Sequence, residues 1–192
     1  MSIAEKPTQN TTMTIEEYLA LPDDGVQREL IEGRLWEGGM TFRNRTHSRI
    51  EAHIAWILVT WIRNQPLPRG EVVSNEAGFR LSDEPGTLVG IDVAVVSASL
   101  VSGSDSASPY FEGPPLLAVE ILSPTDEHRE VVKKVNLYLK SGTVVWVVDP
   151  DFRTLSVHRT GSEAEMYNIT QEVSGDPELA GLRMKVADVF AS

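Results

Sequence analysis

The sequence predicts an α/β protein with a mixed sheet. Two short apolar runs, Leu116–Leu122 and Val144–Val148, flank a stretch of helical periodicity at Arg129–Ser141, which makes one helix cross between two central strands. A longer helical pattern, Thr46–Arg63, lies ahead of them, and most of the remaining segments read as strands.

In chain order, Met1–Asn10 reads as a loose tail. Thr14–Leu21 reads as a short helix, because Thr14 and Glu17 have capping-box spacing and Pro22 stops it. Val26–Ile31 and Arg34–Trp36 fold over a Glu32-Gly33 turn. The Thr46–Arg63 helix carries Ile50, Ile54, Ile57, Leu58 and Trp61 at helical spacing, and Pro66 and Pro68 end it. Glu71–Ser74, Gly78–Leu81 and Val89–Val96 read as three strands. Ser97–Ser108 has six serines in twelve residues, which predicts a flexible loop. Pro115 and Pro124 bound the first central strand, and Gly142 closes the crossing helix. After Val144–Val148 the chain turns at Asp149–Arg153 into a strand at Thr154–His158. Leu182–Val186 and Asp188–Phe190 give a last strand and helical turn. Trp36, Trp56, Trp61 and Trp146 are expected in the core. No repeat is visible, and the expected organisation is a flexible tail over 1–13 and one domain over 14–192.

Composition narrows the function classes. The chain has 192 residues, 41% of them hydrophobic, enough for a core and too apolar for an acidic disordered chain. Seventeen basic residues against 28 acidic give a net charge of −11, which argues against indiscriminate coating of nucleic acid. No apolar run approaches the ~18 residues of a membrane span. The start lacks the apolar segment of a signal peptide, so a cytoplasmic location is expected. With no cysteine, disulfide scaffolds, thiolate zinc sites and thiol nucleophiles are excluded. The sequence also lacks G-x-S-x-G, P-loop, H-E-x-x-H and dinucleotide-binding patterns.

Two lone acids in apolar strands carry the functional signal. Asp92 sits in LVGIDVAVV and Glu120 in PPLLAVEILSP. Alternation puts Asp92 on one face with Gly90, Ala94 and Val96, and Glu120 on one face with Leu116, Ala118 and Leu122. A buried carboxylate costs several kcal/mol unless a cation, a metal or a proton compensates it. Two neighbouring strands would let both acids bridge one divalent ion, and an oxygen-only donor set favours Mg²⁺ or Mn²⁺. The bland alternative is a strand-end acid bonded to a loop or paired with an arginine.

Leu122 occupies the position two residues past Glu120, so a site lysine has to come from elsewhere. On the next helix Val131, Val132, Val135, Tyr138 and Leu139 mark the buried face. Lys134 lies at its edge beside Tyr138, and Lys133 points nearly opposite. Lys134 could equally form an exposed Glu130–Lys134 pair worth a few tenths of a kcal/mol. The Thr46 helix supplies the basic patch: four arginines against Glu51 between Arg43 and Arg63. Arg43, Arg45 and Arg49 gather with His47 at its N-terminus, a place suited to phosphate or to a solvated charged end or subunit contact.

The ordered set of REL-IEG-R (Arg28–Arg34), His47 at a helix start, Ile91-Asp92, VEILSPTD (Val119–Asp126), K-VNLY (Lys134–Tyr138) and VVWVVDP (Val144–Pro150) resembles the Uma family of restriction endonucleases, within the PD-(D/E)XK nuclease superfamily. The resemblance spans about Thr14 to Phe190. It implies a restriction-endonuclease-like α/β/α sandwich, a homodimer, and metal-dependent hydrolysis of nucleic acid, with DNA the expected substrate. Asp92 matches the first metal-binding aspartate and Glu120 the second acid. Lys134 matches a lysine moved from the strand to the helix, and Glu29 and His47 match further polar positions. Ile91 departs from the proline that commonly precedes the aspartate.

On this scheme Asp92, Glu120 and the Ile121 carbonyl hold Mg²⁺ or Mn²⁺, and Lys134 orients the attacking water or, if desolvation lowers its pKa, serves as the base. His47 with Arg43 or Arg49 contacts backbone phosphates, and Glu29 holds a second ion or an outer water. Two alternatives are a catalytically silent nuclease fold with a binding or regulatory role, and a phosphoesterase for small substrates. Ser123 is expected in a turn that caps the next helix.

Overall fold

Residues 12–38, 44–124 and 126–191 are described by the structure, a computed structural model. Helix α1 (Ile15–Leu19) begins on the capping box spelled by the sequence. The Thr14 hydroxyl accepts the Glu17 N–H at 3.1 Å, and the Glu17 carboxylate accepts the Thr14 N–H at 2.9 Å. Upstream, the Met13 N–H donates to the Gly33 carbonyl. Strands β1 (Gln27–Ile31) and β2 (Arg34–Gly38) form a hairpin. Its turn residues Glu32 and Gly33 both have positive φ, which matches the twist of the flanking strands.

Helix α2 (Arg45–Arg63) is capped by Asn44, whose side chain accepts the His47 N–H at 2.9 Å. Ile50, Ile54, Leu58 and Ile62 recur at helical spacing and are buried, each worth roughly 1.5–3 kcal/mol of transfer free energy. Strands β3 (Glu71–Ser82) and β4 (Thr87–Val96) follow. The sequence suggests two strands in the first of these spans. The chain instead forms one 12-residue strand whose register shifts between Ser74 and Ala77, a bulge that interrupts the alternation without ending the strand.

The serine-rich segment also departs from expectation, because it opens with helix α3 (Ala98–Gly103). Its first serine is a cap: Ser97 Oγ accepts the Leu100 N–H at 3.2 Å, while Leu100 and Val101 pack on the core. Then come β5 (Tyr110–Phe111), β6 (Leu117–Ile121), α4 (His128–Lys140), β7 (Val144–Asp149) and β8 (Thr154–His158). The chain ends with β9 (Glu165–Asn168), β10 (Glu172–Ser174), β11 (Arg183–Lys185) and α5 (Val186–Val189). Strands β5, β9 and β10 escape the sequence reading; each is at most four residues long, too short to establish a period.

Nine strands make one mixed sheet in the order β2-β1-β4-β6-β7-β8-β9, with β3 on β4 and β5 beside β3. The β6–β7 pair is parallel and α4 crosses between them. Helix α2 covers one face through Val93, Val95, Leu117, Val119 and Trp146. Helix α4 covers the other, packing Val135 and Tyr138 over Ala94, Ala118, Val145 and Val147. Trp146 is buried as expected, but Trp56 is 68% exposed: it sits on the outer side of α2, away from the Ile50–Ile54–Leu58 stripe. Among the described residues no helix is long and apolar enough to cross a membrane.

Candidate active site

The site lies where β4 changes neighbours. β3 occupies one edge of β4 from Val96 to Thr87. The other edge is divided: β1 takes it at Leu88 and β6 at Val93–Val95. Among the described residues, Val89–Asp92 has no strand partner on that edge. Val93 stands opposite Val119 and Ala94 opposite Ala118. One more step of this register would set Asp92 against Glu120, at ordinary cross-strand separation.

Carboxylates close the gap where the backbone ladder stops. Asp92 Oδ2 accepts the Ile121 N–H at 2.8 Å, and Glu29 Oε1 accepts the Gly90 N–H at 3.2 Å. Buried main-chain donors need such partners. The N–H and C=O of one strand residue leave on the same edge, so the Ile121 carbonyl faces the gap as its N–H does.

Asp92 is 4% exposed, and its Oδ2 also lies 3.2 Å from His47 Nε2. A ring nitrogen against a carboxylate oxygen is the protonated one, so Nε2 donates. His47 is 1% exposed, and its buried Nδ1 has no hydrogen-bond partner. Glu51 Oε2 stands 3.9 Å away, one turn along α2, beyond hydrogen-bond range. The other oxygen of Glu51 accepts the Asn75 N–H at 2.7 Å.

Asn75 and Glu76 form the β3 bulge, with φ of 66° and 58°. Ser74 pairs with Val93 and Ala77 with Ile91, so the bulge stands opposite Asp92. Two consecutive left-handed residues other than glycine cost about 1–3 kcal/mol each. Their side chains are re-aimed as a result: a Cβ at Gly90 would come within 2.6 Å of Glu76 Oε2. Gly90 is the residue that leaves room for that carboxylate beside Asp92.

Helix α4 attends to Glu120. The Tyr138 hydroxyl donates to Glu120 Oε1 at 2.7 Å, and Lys134 Nζ reaches Oε2 at 3.5 Å. The two donors are four residues apart, on one face of the helix. Lys134 Nζ is also 2.9 Å from Glu29 Oε1. Burial pushes the Glu120 carboxyl up to about 7; Lys134 pulls it back, and the Asp92 and Glu29 charges add to the rise. Burial works against the Lys134 charge, yet Glu120 and Glu29 together hold its pKa well above the ordinary lysine value.

A model of the Uma2 family, described as "putative restriction endonuclease", matches residues 15–187. The chain belongs to the Uma2 family. A solved structure, described as a "putative nuclease belonging to DUF820" from Anabaena variabilis, is similar to it at 24% identity and a TM-score of 0.79. That likeness covers 93% of this chain and 97% of that one, and it establishes the restriction-endonuclease-like fold. No curated protein matches the chain.

In this Uma2 chain Asp92, Glu120, Lys134, Glu29 and His47, all named from sequence, converge on one place. Lys134 turns to Glu29 and Glu120 rather than to Glu130. Lys133 lies on the opposite side, over the Trp36 ring at 4.7 Å. His47 is corrected: its ring points inward to Asp92 instead of standing with the arginines as a phosphate contact. Arg43 lies outside the described residues; Arg45 is exposed, and Arg49 is half-buried with its Nε lacking a hydrogen-bond partner. Ser123 forms the expected turn, its Oγ and N–H both bonded to Asp126. It does not cap α4, whose N-cap is Glu127.

Sequence reasoning missed Tyr138, read only as core, and the Glu51–Asn75 link. The signal for Tyr138 is its i+4 spacing from Lys134, because a buried tyrosine hydroxyl requires a partner.

A divalent ion fits this donor set. Among the described residues no three His, Cys, Asp or Glu side chains gather into a ready-made cage. Asp92, Glu120 and the Ile121 carbonyl are all hard oxygen donors, which Mg²⁺ and Mn²⁺ prefer.

Proposed function

We propose that this chain is a metal-dependent endonuclease that hydrolyses phosphodiester bonds in DNA, with Mg²⁺ or Mn²⁺ held by Asp92, Glu120 and the Ile121 carbonyl. The observation that carries the reading is the meeting of Asp92, Glu120 and Lys134 where β4 and β6 part. When bound, the ion supplies positive charge for the phosphate being cut.

The side chains have separable tasks. Ile121 N–H and His47 Nε2 hold Asp92 by one oxygen. Tyr138 holds Glu120 by one oxygen. Lys134 Nζ orients the attacking water and meets charge developing on the phosphate. Water oxygen bonds to phosphorus as the P–O3′ bond breaks, and the 3′-oxygen leaves as a hydroxyl after taking a proton from solvent. Arg45 and Arg49, with Arg43, contact backbone phosphates at the start of α2. The protein works as a cytoplasmic homodimer.

The test is a cleavage assay on single-stranded, duplex and branched DNA with Mg²⁺ or Mn²⁺. Asp92→Ala, Glu120→Ala and Lys134→Ala should each abolish cut products, with thermal melts checking that each variant is still folded at the assay temperature. Full activity in Asp92→Ala would sink the scheme. A silent nuclease fold is the second reading, favoured by Lys134 already pairing with Glu120 and by the −11 charge. It predicts no cleavage with any of these substrates.

A further inference from the structure

Lys134 stands between carboxylates from two different strands, and the two contacts are unequal. Nζ is 2.9 Å from Glu29 Oε1 and 3.5 Å from Glu120 Oε2. Glu29 sits on β1 and is tied to the sheet, because the same Oε1 accepts the Gly90 N–H at 3.2 Å. Glu120 sits on β6 and is tied at its far side, where Oε1 accepts the Tyr138 hydroxyl. The ammonium can therefore leave Glu120 while keeping a carboxylate partner, and neither acid is released when it does.

We infer that Lys134 is the resident counter-cation of the site, neutralising Glu120 until a divalent ion binds there, after which Glu29 alone retains it. This rests on the metal-site reading above and changes the part given to Glu29. That residue is a positioning residue acting through Lys134, and not a ligand of a second ion. The lysine and the ion compete for Glu120 Oε2, because two cations cannot share one buried oxygen without strong mutual repulsion. Glu29 sets the outcome by offering the displaced ammonium a place to go.

The arrangement explains why the lysine can reside on a helix. A lysine on β6 itself would point into the pocket from a fixed strand. From α4 its four-carbon stem spans the gap between β1 and β6, and the charge can shift between them without moving backbone.

The test is calorimetric titration of Mn²⁺ into the DNA-free full chain. Four proteins are compared: wild type, Lys134→Met, Glu29→Gln and the double variant Glu29→Gln/Lys134→Met. Lys134→Met should bind Mn²⁺ at least about tenfold more tightly than wild type, since a competing unit charge is gone. Glu29→Gln should bind about tenfold more weakly, with the lysine left no partner except Glu120. In the Lys134→Met background the Glu29 substitution should change affinity by less than about threefold, the non-additivity expected of a residue that acts through another.

Lys134→Met binding no more tightly than wild type overturns the inference. So does a larger loss from Glu29→Gln in both backgrounds, which would make Glu29 a ligand while leaving the nuclease reading intact. Wild type silent with Lys134→Met binding upholds the lysine's role and sinks the active-enzyme reading; no binding by either sinks both. Thermal melts check folding, and Lys134→Gln serves as a second uncharged variant if the methionine protein fails to fold.

Discussion

Tyr138 donates its hydroxyl to Glu120 Oε1 at 2.7 Å from a ring that is fully buried. The tyrosine thus fills the core below α4 and fixes one oxygen of a site carboxylate. Tyr138→Phe should keep the packing and lose the donor, at a cost of about 1–3 kcal/mol in urea unfolding. Mn²⁺ affinity should fall severalfold, because Glu120 would no longer be held in one orientation. Unchanged Mn²⁺ affinity would reduce Tyr138 to a core residue.

The Glu120 carboxyl gives a pH dependence with a definite sign. Its pKa is raised from 4.5 to about 7 in the folded, metal-free protein, chiefly by burial. A raised folded-state value means the unfolded state loses its proton first as pH rises. The stability contributed by protonated Glu120 is therefore complete below about pH 4.5 and is lost on the way to pH 7. In urea titrations without metal, wild type should lose stability relative to Glu120→Gln across that window and run parallel to it above. A constant difference from pH 4 to pH 8 would count against the shift.

Gly90 tests the bulge. A methyl group there would sit 2.6 Å from Glu76 Oε2 and 3.2 Å from Glu76 Cβ. Gly90→Ala should cost about 1–3 kcal/mol as the Glu76 side chain is forced aside. Most of that cost should vanish in a Glu76→Ala background, which removes the Oε2 contact at 2.6 Å and keeps only the milder Cβ contact at 3.2 Å. An equal cost in both backgrounds would place the difficulty in the strand itself.

Ile54 tests the other layer. It is fully buried on α2, and Ile54→Ala should cost about 2–5 kcal/mol. The loss should appear as an earlier urea midpoint with an unchanged slope. A cost under about 1 kcal/mol would mean that α2 contributes little to the core on that face.

How far the sequence revealed the site depended on contrast with its surroundings. Asp92 and Glu120 were legible because a single charge in an apolar strand stands out. Lys134 was legible because helical periodicity put it at the edge of the buried face, a position that Lys133 does not share. Glu29 was reachable through the family resemblance, since nothing in the hairpin's own pattern marks it. His47 was found but mis-aimed: its three arginine neighbours suggested an outward ring, whereas its place on α2 turns it toward β4.

What stayed hidden breaks a period or has none. The Asn75–Glu76 bulge looks like a pause between two strands, because two left-handed residues reset the alternation. Ser97 is an ordinary helix cap, but five further serines conceal the helix it starts. Tyr138 was counted as apolar by its position, and its hydroxyl has no sequence signature. Strands β5, β9 and β10 depend on partners distant in the chain for their definition.

The pocket draws Glu29 from the first hairpin and Lys134 and Tyr138 from a helix encoded far downstream. A growing polypeptide that has reached Asp92 or even Glu120 thus has acids but no ammonium and no phenol to set beside them. Assembly waits until α4 has left the ribosome and folded back over the sheet. Translation stalled short of that helix yields a product whose two strand acids lack both of their α4 partners.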